Sequence, residues 1–258
     1  MNLMSFNEND LPIPHLKQIG LLADGKMLLD VKDLKTLLSG RRTTLIELKN
    51  IETGNTKIKM MNAKLSLQKN VKGEVDLLIH PVYRKSVAPI YLDESEIRQL
   101  EKGKIGSLLR LTIDDKGHEK ELLIEYDKET REFITSDTAK ILVPDMINDE
   151  LLTPAQKDAY RKGREVELAD KTRFNFSGAD IYGIRSNKLA LVASVLVDGG
   201  VSYMLYTGLN AIFNKKRDLT DAAQLSDSYY RAASNIRKPP IPENNNLMPL
   251  TRSNSQHR

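Results

Sequence analysis

Apolar residues along this chain fall into short runs, and three of those runs are prefaced by the same polar punctuation. Leu29-Asp30-x-x-Asp33-Leu34-x-x-Leu37-x-Ser39-Gly40-Arg41, Leu92-Asp93-x-x-Glu96-Ile97-x-x-Leu100-x-Lys102-Gly103-Lys104 and Leu152-Thr153-x-x-Gln156-x-x-x-Tyr160-x-Lys162-Gly163-Arg164 align, with their glycines 63 and 60 residues apart. Asp30, Asp93 and Thr153 are good N-cap residues. Asp33, Glu96 and Gln156 stand three positions on, where a side chain reaches back to the cap amide. The apolar spacing predicts about two helical turns, closed by a glycine in the left-handed conformation with a basic residue beside it.

Each glycine is followed by β-patterned sequence. After Gly40, strands are predicted near Thr43–Leu48, Lys57–Gln68 and Val75–His80; after Gly103, near Leu108–Ile113, Glu119–Tyr126 and Glu132–Thr135. After Gly163 a single hairpin is predicted, from Glu165–Leu168 and Thr172–Phe176. Turns this short join antiparallel strands. The expected fold class is α+β: repeated helix–Gly–strand modules with small antiparallel sheets, plus a C-terminal helical segment. The expected units are 1–88, 89–150, a truncated third module with an apolar helical hairpin over 151–213, and a short amphipathic helix with a disordered tail over 214–258.

Leu189–Phe213 breaks the pattern, with 25 residues and one charge, Asp198. As one helix it would be about 37 Å long, enough for a bilayer core of about 30 Å. Asp198, Gly199-Gly200 and Asn210 oppose a span, so two core helices meeting at the glycines are the preferred reading. The second reading is a membrane anchor flanked by Lys188, Lys215, Lys216 and Arg217.

Charge adds one constraint. The chain carries a net +4, and residues 214–258 hold eight Lys and Arg against four Asp and Glu, so residues 1–213 are neutral overall. That excludes a uniformly basic phosphate-binding body. No cysteine is present, which rules out disulfides and thiol chemistry. The start has no basic and apolar leader, so a cytoplasmic location is expected, with membrane association under the second reading.

Catalytic patterns are missing. His15, His80, His118 and His257 lie far apart in sequence, and neither a phosphate loop nor a Gly-x-Ser-x-Gly elbow occurs. No catalytic residue, cofactor or metal ligand is proposed, and a small-molecule substrate is not expected. The candidate contacts for nucleic acid or a protein partner are the cations around the repeat glycines, Arg41, Arg42, Lys102, Lys104, Lys162 and Arg164. Their simpler role is to complement helix C-termini.

Phe6–Leu11, Leu37-Leu-Ser-Gly-Arg-Arg-Thr43, His80-Pro-Val-Tyr-Arg84 and Leu152–Leu168 resemble paired domains of unknown function from conjugative-transposon and plasmid proteins of Bacteroidetes-type bacteria, over about residues 5–213. The second part is similar to modules appended to type IA topoisomerases. The resemblance implies a non-enzymatic accessory protein of a mobile element. Its implied partners are DNA, a DNA-processing enzyme such as a topoisomerase, or other conjugation proteins. No topoisomerase core is visible.

Overall fold

The computed structural model describes residues 6–23, 25–53, 56–188, 190–197, 200–206 and 231. The chain opens with helix α1 (Ile13–Gln18) and a two-residue hairpin, β1 (Leu22–Ala23) with β2 (Lys26–Met27). Helix α2 (Val31–Leu38) follows, then an antiparallel meander of β3 (Ile46–Thr53), β4 (Thr56–Lys69) and β5 (Val75–Pro81). Leu37, Leu48, Ala63 and Leu65 are fully buried in the core between helix and sheet.

The plan recurs with α3 (Glu94–Glu101) and the meander β6 (Leu108–Ile113), β7 (Glu119–Asp127), β8 (Glu132–Asp137), around Leu100, Ile124 and Phe133. A small hairpin comes next, β9 (Met146–Ile147) with β10 (Glu150–Leu151), and then α4 (Pro154–Arg161). Strands β11 (Val166–Glu167), β12 (Arg173–Phe176) and β13 (Ile184–Ser186) make a third antiparallel sheet. The sequence pattern predicts one hairpin there. Ile184–Ser186 adds a strand because Ile184 is buried against Tyr160 and Phe174, although only three residues long.

Helices α2, α3 and α4 end alike. Gly40, Gly103 and Gly163 have φ of 70°, 66° and 68°, and the next amide donates five residues back, Arg41 to Thr36, Lys104 to Gln99 and Arg164 to Ala159. That is the Schellman closure, and it needs a residue free of a Cβ penalty at the left-handed position. The starts differ. Asp93 with Glu96, and Thr153 with Gln156, form reciprocal capping boxes. Asp33 does not reach back to Asp30; its carboxylate turns inward and accepts from the Thr44 amide and hydroxyl, both at 2.7 Å. A 4% exposed carboxylate gains more from two donors than from an amide that water can satisfy.

Leu189–Phe213 is not a helical hairpin where it is described. β14 (Leu191–Val197) and β15 (Gly200–Tyr206) pair antiparallel, and β14 also pairs with β9, giving the sheet order β10-β9-β14-β15. Leu191, Val192 and Ala193 are all fully buried, so both faces of the first half of β14 are covered. A strand buried on both faces shows no alternation, and a short apolar run then reads equally as helix. The register brings Val197 opposite Gly200, and in sequence Asp198-Gly199 is a strong hairpin signal. Among the described residues no helix is long and apolar enough to cross a membrane. The short amphipathic helix and disordered tail expected over 214–258 fall outside the described residues, apart from Arg231.

Candidate functional site

Strand β4 presents alternate residues to opposite sides. Ala63, Leu65 and Leu67 face the first core, so Lys64 and Ser66 face away from it, toward the second sheet. Lys64 Nζ donates to Asp127 Oδ2 at 2.8 Å and lies 2.7 Å from Glu129 Oε2. Its side chain and that of Asp127 are 2% and 3% exposed. His80, opposite Lys64 on β5, has Nε2 2.8 Å from Ser66 Oγ and Nδ1 3.2 Å from Glu132 Oε2. Arg42 Nη1 donates to the same Glu132 oxygen at 2.5 Å. Burial raises the Glu132 pKa, but the His80 and Arg42 hydrogen bonds and the Arg42 charge outweigh it and hold the carboxyl at about 2.

Ser66, His80 and Glu132 are connected in the order of an activated nucleophile. Ser66 and His80 are each 8% exposed within paired strands, and Glu132 is committed to Arg42. The three residues fasten the first sheet to the second.

The Ser177–Gly183 loop fastens the third. Glu125 on β7 accepts from Ser177 Oγ and from the Gly178 amide, both at 2.6 Å. Burial pushes its carboxyl pKa up against those bonds and the Arg185 charge. Burial likewise raises Asp180 in the same loop. Arg41 Nη1 donates to the Tyr182 carbonyl, and Lys32 Nζ lies 5.2 Å from the centre of the Tyr182 ring. Arg41 and Arg42 therefore bind the units to one another.

The other predicted cations are placed differently. Lys162 pairs with Asp158 at 3.0 Å. Arg164 is exposed beyond Gly163, and Lys188 is half-buried with its amide on Ser186 Oγ. Lys215, Lys216 and Arg217 lie outside the described residues. Lys102 and Lys104 are exposed at the end of α3, and they have company. Lys128 Nζ, from the β7–β8 turn, would lie 2.5 Å from a Cβ on Gly103. Arg131, in the same turn, is left-handed at φ 57° and directs Nη1 to the carbonyls of Tyr83 and Arg84 at 3.5 and 3.4 Å. The Tyr83 amide donates to Thr130 O at 2.9 Å, and Ser86 Oγ donates to Glu101 at 2.5 Å, beside Lys102. Tyr126 closes the ring of contacts: burial raises its pKa, and its hydroxyl meets Ser86 within the fields of Glu101 and Arg131.

Three segments thus bring Arg84, Lys85, Lys102, Lys104, Lys128 and Arg131 to one exposed surface. Arg84, Lys85, Lys102, Lys104 and Lys128 have no ion pair among the described residues. Sequence reasoning missed Arg84, Lys85, Lys128 and Arg131, because nothing local says that the β5–α3 loop and the β7–β8 turn meet. Among the described residues no group of three or more His, Asp or Glu is placed to hold a metal ion.

Fold and surface together define an α+β protein of small antiparallel sheets, joined by buried ion pairs and carrying a cationic face. Residues 6–88 match the model of a protein family described as "Protein of unknown function (DUF4099)". Neither a curated protein nor a solved structure matches the chain.

Proposed function

We propose that this chain is a non-enzymatic accessory protein of a mobile genetic element, built from three copies of one helix–Gly–sheet module, that supports DNA processing or transfer by contacting nucleic acid. The observation that carries this reading is the convergence of Arg84, Lys85, Lys102, Lys104, Lys128 and Arg131 on one exposed surface. Unneutralised cations at close quarters repel one another, and phosphate oxygens relieve that repulsion while releasing counterions. The conjugative setting comes from the resemblance of the sequence, and a DNA-processing enzyme is the partner that setting implies.

Binding of a labelled duplex across a salt series tests the reading. Affinity falls with salt, with a log–log slope of about −0.9 for each phosphate neutralised. Lys102→Glu with Lys104→Glu weakens binding and flattens the slope by about one for each phosphate no longer held. Arg42→Gln lowers stability instead and leaves the slope unchanged. A wild-type chain that binds no nucleic acid at low salt, or a charge-reversed chain that binds equally well, overturns the reading.

A further inference from the structure

The loop between β5 and α3 joins cations to outward apolar side chains. Val82 and Tyr83 are each 38% exposed, Val87 is 83% exposed and Ile90 is fully exposed. Exposed apolar residues in a slack loop carry no message, but this loop is held at several points. The Val82 amide donates to Asn62 O at 3.2 Å, the Tyr83 amide to Thr130 O at 2.9 Å, and the Leu92 amide to Pro89 O at 3.1 Å. Ser86 is tied to Glu101, and Arg131 spans the Tyr83 and Arg84 carbonyls. The fold spends backbone order on presenting a tyrosine ring and aliphatic groups to water, among cations.

Duplex DNA offers such a surface little. Its rim is phosphate and its base faces are stacked inside, so a partly exposed ring would meet only sugar and water. An unpaired strand offers both chemistries, phosphates for Arg84, Lys85, Lys102, Lys104, Lys128 and Arg131, and bare base faces for an aromatic ring. Tyr83 precedes Arg84 in the chain, and the Arg131 guanidinium reaches the Tyr83 carbonyl. A base stacked on it would have cations nearby for its phosphates.

We infer that the surface formed by the β5–α3 loop, the β7–β8 turn and the end of α3 is a single-stranded nucleic-acid site, in which Tyr83 stacks on a base and the surrounding cations follow the backbone. This inference rests on the nucleic-acid reading above and narrows it to an unpaired strand.

The test compares the full chain on an oligothymidine of about 20 nucleotides, longer than the about 4–16 nucleotides one such site covers, with a duplex of equal length. The single strand binds more tightly. Tyr83→Ala weakens single-strand binding between about 5- and 150-fold, the range for losing one stacked base, and leaves duplex binding within about twofold. Tyr83→Phe keeps the ring and restores single-strand binding. Thermal unfolding confirms that both variants fold, since the Tyr83 bonds to Thr130 and Arg131 are made by its backbone. Equal affinity for both probes, or a Tyr83→Ala loss common to both or to neither, overturns the stacking inference and leaves the nucleic-acid reading standing. A wild-type chain that binds neither probe overturns both.

Discussion

Removing the ammonium of Lys64 while leaving the carboxylate of Asp127 in place tests whether the buried pair is what joins the first two sheets. The two residues are 63 positions apart, 2% and 3% exposed, and 2.8 Å from each other. Lys64→Met keeps the aliphatic stem and strands a carboxylate whose remaining bond here is from the Glu129 amide at 3.0 Å. Breaking a buried pair from one side costs about 3–5 kcal/mol, because the surviving charge keeps its desolvation penalty. The chain is large enough that each kcal/mol moves Tm by about 2–4 °C, so a fall of about 6–20 °C is expected. Asp127→Asn is milder, about 1–3 kcal/mol, because Lys64 keeps Glu129 at 2.7 Å, 60% exposed, and the new amide oxygen still accepts from the Glu129 amide.

The double variant Lys64→Met/Asp127→Leu carries the sharper result. With both charges gone neither desolvation penalty remains, and its stability lies within about 1 kcal/mol of the wild type or above it. Urea unfolding followed by circular dichroism gives all three values, and the Asp127→Leu single variant closes the cycle and gives its coupling energy. A Lys64→Met cost below about 1 kcal/mol would mean that water reaches the pair. A double variant as unstable as the two single losses added together would mean that the side chains act by shape and not by charge.

Acid gives a second test, because Glu132 at about 2 lies below its ordinary 4.5. Its stabilisation is complete above pH 4.5 and is lost as pH falls toward 2; discounted for a side chain one quarter exposed, it amounts to about 1–2 kcal/mol, and Glu132→Gln removes that slope from a pH series of unfolding. Glu125 has the opposite sign: its raised pKa means that the folded chain holds the proton more tightly, so its contribution declines as pH rises above 4.5, and Glu125→Gln abolishes that decline. Gly163→Ala costs about 2–3 kcal/mol, since its φ is 68° and the new Cβ would stand 2.8 Å from Leu123 Cδ1, whereas Gly73→Ala, at φ 82° in open space, costs about 1 kcal/mol; equal losses in a melting comparison would refute the clash.

The helix starts and closures were legible because they are written within five residues. Thr153-Pro154-x-Gln156 can hardly be anything but a helix start, and Gly103 flanked by lysines can hardly be anything but an end. The stretch around Leu191–Val197 was not legible, since a strand buried on both faces has neither period, and length alone favoured helix. Its informative residues were the β-branched Val192, Val195, Val197 and Val201 and the Asp198-Gly199 pair, whose turn preference outweighs the helical reading of an apolar run. Asp33 shows the same limit at one side chain. Its position three residues after Asp30 says N3, but the competing donors of Thr44 are brought to it only by the fold.

The cationic surface follows from how the opposite charges are used up. Residues 1–213 have no net charge, which alone would deny them a phosphate-binding face. Yet Glu125, Asp127 and Glu132, all on β7 and β8, turn into the seams, where Ser177, Lys64 and Arg42 meet them. With those three acids inside, Lys128 and Arg131, on the turn between the same strands, stand with Arg84, Lys85, Lys102 and Lys104, while the nearby Glu129 and Glu101 are engaged by Lys64 and Ser86. The seam and the surface are two consequences of one folding of β7 onto β8. A residue count could not separate them, because the count assigns Arg42 and Lys102 the same sign and says nothing of which one a carboxylate already holds.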